Sequence, residues 1–296
     1  MKNGVLIALL SYATFSWGDA CIKASRGGMS VFQIGFLVAV AAAFFLFFTR
    51  GREENWRDFW RAKRPWLVQA RAVTGSGAGI LGVYAFTTIP MAEAYSLIFL
   101  SPFFVTLLST LVLKEQIGPW RWGAVLAGFC GVLLVVRPGF RELSLGHFAA
   151  LAIAFLTATT VILLRSLSRT EKRTTILGVM MTYALVINAA GMVLTGVQMP
   201  SLREIALVVA AGAFSACGQV LLLQAMKLAP ANHVAPTQYS QIAWAAAIGA
   251  VLFHEYPDGL ALVGLVIVAF AGLVTLIREQ MRLGKIRWNP RDPNRL

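Results

Sequence analysis

The chain has 296 residues, of which 58% are hydrophobic and only 13% charged, with a mean hydropathy of +0.71. An ordinary soluble domain carries roughly 25% charged residues, so this composition excludes a soluble fold and points to lipid as the solvent. The formal charge of +13 at neutral pH does not indicate nucleic acid, because the basic residues sit in the gaps between apolar segments and in the tail.

Apolar segments of about twenty residues, each enough to cross roughly 30 Å of hydrocarbon as a helix, recur along the length. They fall near 4–24, 30–49, 66–89, 91–113, 120–136, 145–167, 174–197, 203–226, 231–253 and 258–277. The first follows a lone Lys2. Ala20-Cys21 resembles a lipoprotein cleavage site, but Asp19 and the uninterrupted apolar run favour a retained helix. In that helix Tyr12, Ser16, Asp19 and Lys23 recur at helical spacing on one face, and a polar stripe in lipid must face protein or water.

Asp19 is the one carboxylate well inside a span, which makes it a candidate to bind a cationic solute group or to exchange protons. An ion pair with Lys23 one turn later is the open alternative. Trp17 and Ser16 neighbour it. Spans three and four are divided only by Pro90, which cannot continue a helix, and Gly75 and Gly79 form a close-packing GxxxG on the third span. Arg71 is expected to snorkel toward water. Trp17, Tyr84 and Tyr95 are candidate aromatic walls for a solute cavity, with Trp17, between Ser16 and Gly18, expected to face inward. Glu93, at the start of span four, is a candidate coupling group or a helix-start carboxylate.

Span eight carries a small-residue run from Ala210 to Gly218, expected to pack closely. In span nine, Gln238, Gln241 and Trp244 recur at steps of three beside Tyr239. Amides there can hold a zwitterion or a heterocycle by neutral hydrogen bonds, or join helices to each other. Pro90, Pro102, Pro230 and Pro236 are candidate hinges, and His233 is a weak candidate beside Asn232. Cys21, Cys130 and Cys217 lack both disulfide and metal-site spacing. No cofactor is implied, and no catalytic or nucleotide-binding motif is present, which argues against an embedded enzyme.

If the N-terminus is cytoplasmic, twenty Lys and Arg residues fall on the cytoplasmic side and five on the other, with Arg71 apart. This asymmetry predicts both termini inside an inner membrane. A shift of 140 residues superposes Ala85, Pro90 and Glu115 on Ala225, Pro230 and Glu255. With one further residue, Gly123 and Gly131 fall on Gly264 and Gly272. Five spans per half force the halves into opposite orientations, an arrangement typical of secondary transporters. Glu115 and Glu255 read as end markers.

Trp17-Gly18, the segment YAFTTIPMAEAYSLIFLSPFFVTLLSTLVLKE from Tyr84 to Glu115, and GAVLAGFCGVLLVVRPG from Gly123 to Gly139 resemble the EamA family of the drug/metabolite transporter superfamily. QAMKLAPANHVAPTQYSQIAWAAAIGAVLFHE, from Gln224 to Glu255, echoes the pattern. The resemblance is nearest to the YddG-type amino-acid exporters. It implies an all-α membrane protein of ten helices in two inverted five-helix repeats, over 1–139 and 140–277, with a basic cytoplasmic tail over 278–296. It also implies a central cavity and a small organic solute, amino acids first, with riboflavin, S-adenosylmethionine or drugs as alternatives. Membrane lipids are the other expected partner, nucleic acid is not, and the oligomeric state stays open.

Overall fold

A computed structural model describes residues 2–48, 61–112, 119–137, 142–167, 171–228 and 235–286. Pro230, His233, Glu115 and the end of the tail lie outside these residues. Within them the chain forms helices and no strand. The helices are α1 (Lys2–Ala24), α2 (Val31–Phe48), α3 (Pro65–Thr88), α4 (Met91–Ile98), α5 (Ser101–Val112), α6 (Pro119–Val136), α7 (Leu145–Leu167), α8 (Arg173–Thr195) and α9 (Leu202–Leu228). A 3-10 turn over Ala235–Tyr239 then leads into α10 (Ser240–Phe253), and α11 (Gly259–Ile286) follows.

Among the described residues, three segments are long and apolar enough to cross a membrane by length and composition, Gly4–Ala24, Gly178–Thr195 and Leu202–Leu222. Five shorter apolar helices accompany them. Leu6, Leu10, Phe44, Leu126, Val186 and Phe270 remain exposed, an apolar exterior suited to lipid.

Successive helix ends alternate. The ends of α1, α3, α6, α8 and α10 meet the starts of α2, α4, α7, α9 and α11 at one end of the bundle, here termed the Lys23 end. Side chains tie that end together. Gln33 of α2 exchanges two hydrogen bonds with the Gln198 backbone, at 2.6 and 3.1 Å. Arg137 pairs with Asp258, and Glu204, which caps the start of α9 through Ser201, also accepts the Gly28 N–H at 3.3 Å.

The span expected over 91–113 is broken. The α4 helix stops at Ile98, Phe99 and Leu100 form a turn, and α5 resumes at Ser101. Pro102 supplies the cause, since it has no N–H to continue the ladder through Ile98. The expected span 231–253 likewise opens as 3-10 turn through Gln238 and becomes α-helical only at Ser240.

Close packing rests on small residues at particular crossings. A Cβ on Gly131 of α6 would lie 2.8 Å from the Gly264 carbonyl oxygen of α11, and one on Gly264 would lie 2.5 Å from that of Gly131. Gly212 and Gly218 of α9 meet α2 and α1 in the same way, and Ser11 donates to the Gly218 carbonyl at 2.7 Å. The expectation for Gly79 is corrected, because a Cβ there meets nothing within 4 Å. Gly75 alone of that pair is a contact, since a Cβ there would lie 3.2 Å from Met180 Sδ. Arg71 does not snorkel. It is buried against α8, with Nη1 3.0 Å from Met180 Sδ, because its position on α3 faces the bundle.

Candidate functional site

Three helices distant in sequence bring polar side chains together inside this bundle. The Tyr95 hydroxyl of α4 donates to Asp19 Oδ2 of α1, and Gln241 Nε2 of α10 donates to the Tyr95 oxygen at 3.3 Å. Tyr95 and Gln241 are buried and Asp19 is half-buried. The carboxylate keeps one oxygen beyond the Tyr95 bond, so it can receive a donor from a solute.

An aromatic row runs beside the carboxylate. Phe86 and Tyr95 have ring centroids 5.3 Å apart, Tyr95 and Phe99 stack at 6.1 Å, and Phe99 meets Tyr239 at 5.1 Å. The turn that breaks α4 from α5 holds Phe99 in this row. Ser16, buried, returns its hydroxyl to the Tyr12 carbonyl at 3.1 Å. Tyr84 and Gln238 are half-buried, and Trp17 and Trp244 are exposed at 39% and 37%. The structure therefore joins Asp19, Tyr95 and Gln241 and leaves both tryptophans outside that cluster.

Asp19 and Lys23 do not form the intrahelical pair left open by their spacing. Lys23 Nζ instead meets Glu255 Oε1 at 2.7 Å and donates to the carbonyls of Ile89 at 2.7 Å and Phe86 at 3.4 Å. The Phe253 ring lies 5.4 Å below the ammonium. Pro90 explains why these acceptors are free. A helical continuation would satisfy the Phe86 carbonyl with the N–H of residue 90, which proline lacks. On the far side of the break, Met91 begins α4 with an unpaired N–H and donates it to Glu255 Oε2 at 3.0 Å.

Glu93 lies in the first turn of α4 and accepts from His147 of α7 at 2.9 Å. The Ser144 N–H points at His147 Nδ1, 3.0 Å away, which assigns the ring proton to Nε2. A cleft of about 120 Å³ lies beside Glu93 and Glu255, walled by Pro90, Ala245, Gly249 and Tyr256. Lys23, Glu255, His147, Phe86 and Phe99 were not foreseen as partners here. The unpaired Phe86 carbonyl, four residues before Pro90, was the sequence signal for Lys23. No group of His, Cys, Asp and Glu able to hold a metal occurs among the described residues.

This helical bundle superposes on a crystal structure of 18% sequence identity with a TM-score of 0.66, over 95% of this chain and 99% of that one. The model of the EamA-like transporter family matches residues 2–137 and again 144–277. The chain belongs to the EamA-like transporter family. Asp19 and Tyr95 lie in the first matched segment and Gln241 in the second, so the cluster joins the two.

Curated EamA-type relatives carry transporter names. The pseudopaline exporter of Pseudomonas aeruginosa is 29% identical over 92% of this chain and 95% of its own length. A riboflavin transporter of Rhizobium johnstonii is 27% identical over 75% of this chain and 73% of its own. An S-adenosylmethionine uptake transporter of Rickettsia prowazekii is 23% identical, covering 94% of each chain. The protein is a multi-pass membrane transporter of small molecules rather than an enzyme.

Proposed function

We propose that this EamA-like protein is a secondary transporter of amine-bearing metabolites, amino acids first, and that it exports them across the inner membrane. The observation that carries this reading is the Asp19–Tyr95–Gln241 cluster between the two matched segments. A carboxylate at such a depth is costly unless it has work, and an ammonium group is its natural counter-charge. Gln241 and Gln238 add neutral hydrogen-bonding capacity, and the Phe86–Tyr95–Phe99–Tyr239 row offers apolar and cation-π surface to the rest of the solute.

Ten spans in two inverted halves, both termini cytoplasmic, would place this cluster on the path between halves and let them rock about it by alternating access. The breaks at Pro90 and ahead of Pro102 supply hinges. Pro230, the counterpart of Pro90 at the 140-residue shift, and Pro236 are the candidates in the second half. Export is favoured by the relative named as an exporter. A planar heterocycle such as riboflavin is the second reading, supported by the same aromatic row and by a relative of that name.

Purified protein in liposomes, offered a panel of labelled amino acids and riboflavin in counterflow, tests these readings. Protein-dependent exchange of amino acids that Asp19→Asn abolishes supports the first. Exchange of riboflavin alone, indifferent to Asp19→Asn, replaces it with the second.

A further inference from the structure

We propose that Lys23 and the Met91 N–H form a carboxylate-binding site at the Lys23 end, filled here by Glu255 and taken over by the solute's own carboxylate during transport. This deepens the reading of the protein as an amine-metabolite transporter and rests on it for the identity of the incoming ligand. The site itself rests on the geometry around Pro90.

Glu255 is held as a ligand would be. One carboxylate oxygen lies 2.7 Å from the Lys23 ammonium and the other 3.0 Å from the Met91 N–H, so both oxygens are engaged by donors on two different helices of the first matched segment. The Lys23 side chain is only 10% exposed, and its other partners among the described residues are the Phe86 and Ile89 carbonyls and the Phe253 ring. Those dipoles hold the ammonium but do not neutralise it. A buried ammonium and the start of α4 therefore keep a requirement for an anion whenever Glu255 leaves.

Glu255 has somewhere to go. It follows the end of α10, where His254 adopts a left-handed conformation (φ 54°) and the Glu255 N–H reaches back to the Gly249 carbonyl at 2.9 Å. The cleft beside Gly249 and Tyr256 borders its side chain. Glu255 belongs to the second matched segment and its donors to the first. Separating the segments at this end thus withdraws the carboxylate and leaves the donors facing the opening. Asp19 lies one helical turn below Lys23, about 6 Å along α1. On this proposal a zwitterion gives its carboxylate to Lys23 and its ammonium to Asp19.

Chemical rescue tests the site without relying on transport. Glu255→Ala in detergent should melt lower than wild type, and acetate at matched ionic strength should raise its Tm by about 2–4 °C over chloride. Wild type and the double variant Lys23→Met with Glu255→Ala should not respond. If Glu255→Ala does not fold, Glu255→Gln takes its place with a smaller rise. Acetate that shifts none of the variants, or all of them equally, overturns the proposal. In liposomes, Lys23→Met should raise KM about tenfold for an amino acid and leave that of its carboxamide unchanged. Equal effects on both also overturn it. Loss of all amino-acid exchange alongside intact acetate rescue would instead refute the proposed solute and retain the anion site.

Discussion

At the residue scale, the function proposed for this chain turns on where two charges of one helix find partners. Asp19 stands out in the sequence because carboxylates inside apolar spans are expensive, and Tyr95 and Gln241 stand out as polar residues in other spans. Their meeting was not legible, since 76 residues separate Asp19 from Tyr95 and 146 separate Tyr95 from Gln241. Local spacing suggested an Asp19–Lys23 pair. Pro90 overrides it by leaving a carbonyl on α3 and an N–H on α4, which Lys23 and Glu255 satisfy. Tyr95→Phe removes the donor that fixes Asp19 and should raise KM for an amine-bearing solute about tenfold, as expected for a hydrogen bond to a charged group. Equilibrium binding to the purified variant checks this, with yield and Tm reporting separately on folding.

At the scale of elements, the positions of helices were readable from apolar run length and the break at Pro90 from its missing N–H, whereas the turn inside span four and the 3-10 opening of span nine were not. The turn at Phe99 and Leu100 lies ahead of Pro102 rather than at it, because the missing N–H acts on the preceding turn. A GxxxG pattern likewise names candidates without choosing among them. Gly264 lies against the Gly131 backbone and Gly79 against nothing, so Gly264→Ala should destabilise by about 1–3 kcal/mol and Gly79→Ala should be tolerated. Thermal unfolding of the two variants in one detergent decides it, and equal losses would contradict the packing described. His254→Gly should raise Tm, because left-handed backbone costs a non-glycine residue roughly 1–2 kcal/mol. The same substitution frees the turn that presents Glu255 to take other conformations, and a slower exchange rate in a variant that is no less stable would show that the turn positions it.

At the scale of the whole molecule, charge counting and the 140-residue shift propose ten spans, inverted halves and cytoplasmic termini. Reporter fusions after Arg64 and Arg173 should read cytoplasmic and one after Arg141 external. The reverse would remove the inverted arrangement. A solute path between the matched segments makes the Asp19–Tyr95–Gln241 cluster obligatory for flux and leaves Gly79 irrelevant to it. The most direct test is counterflow of labelled amino acids in liposomes holding wild type, Asp19→Asn or Gly79→Ala protein. The account predicts exchange by wild type and Gly79→Ala, and its loss in a folded Asp19→Asn protein. Undiminished exchange by Asp19→Asn would contradict it.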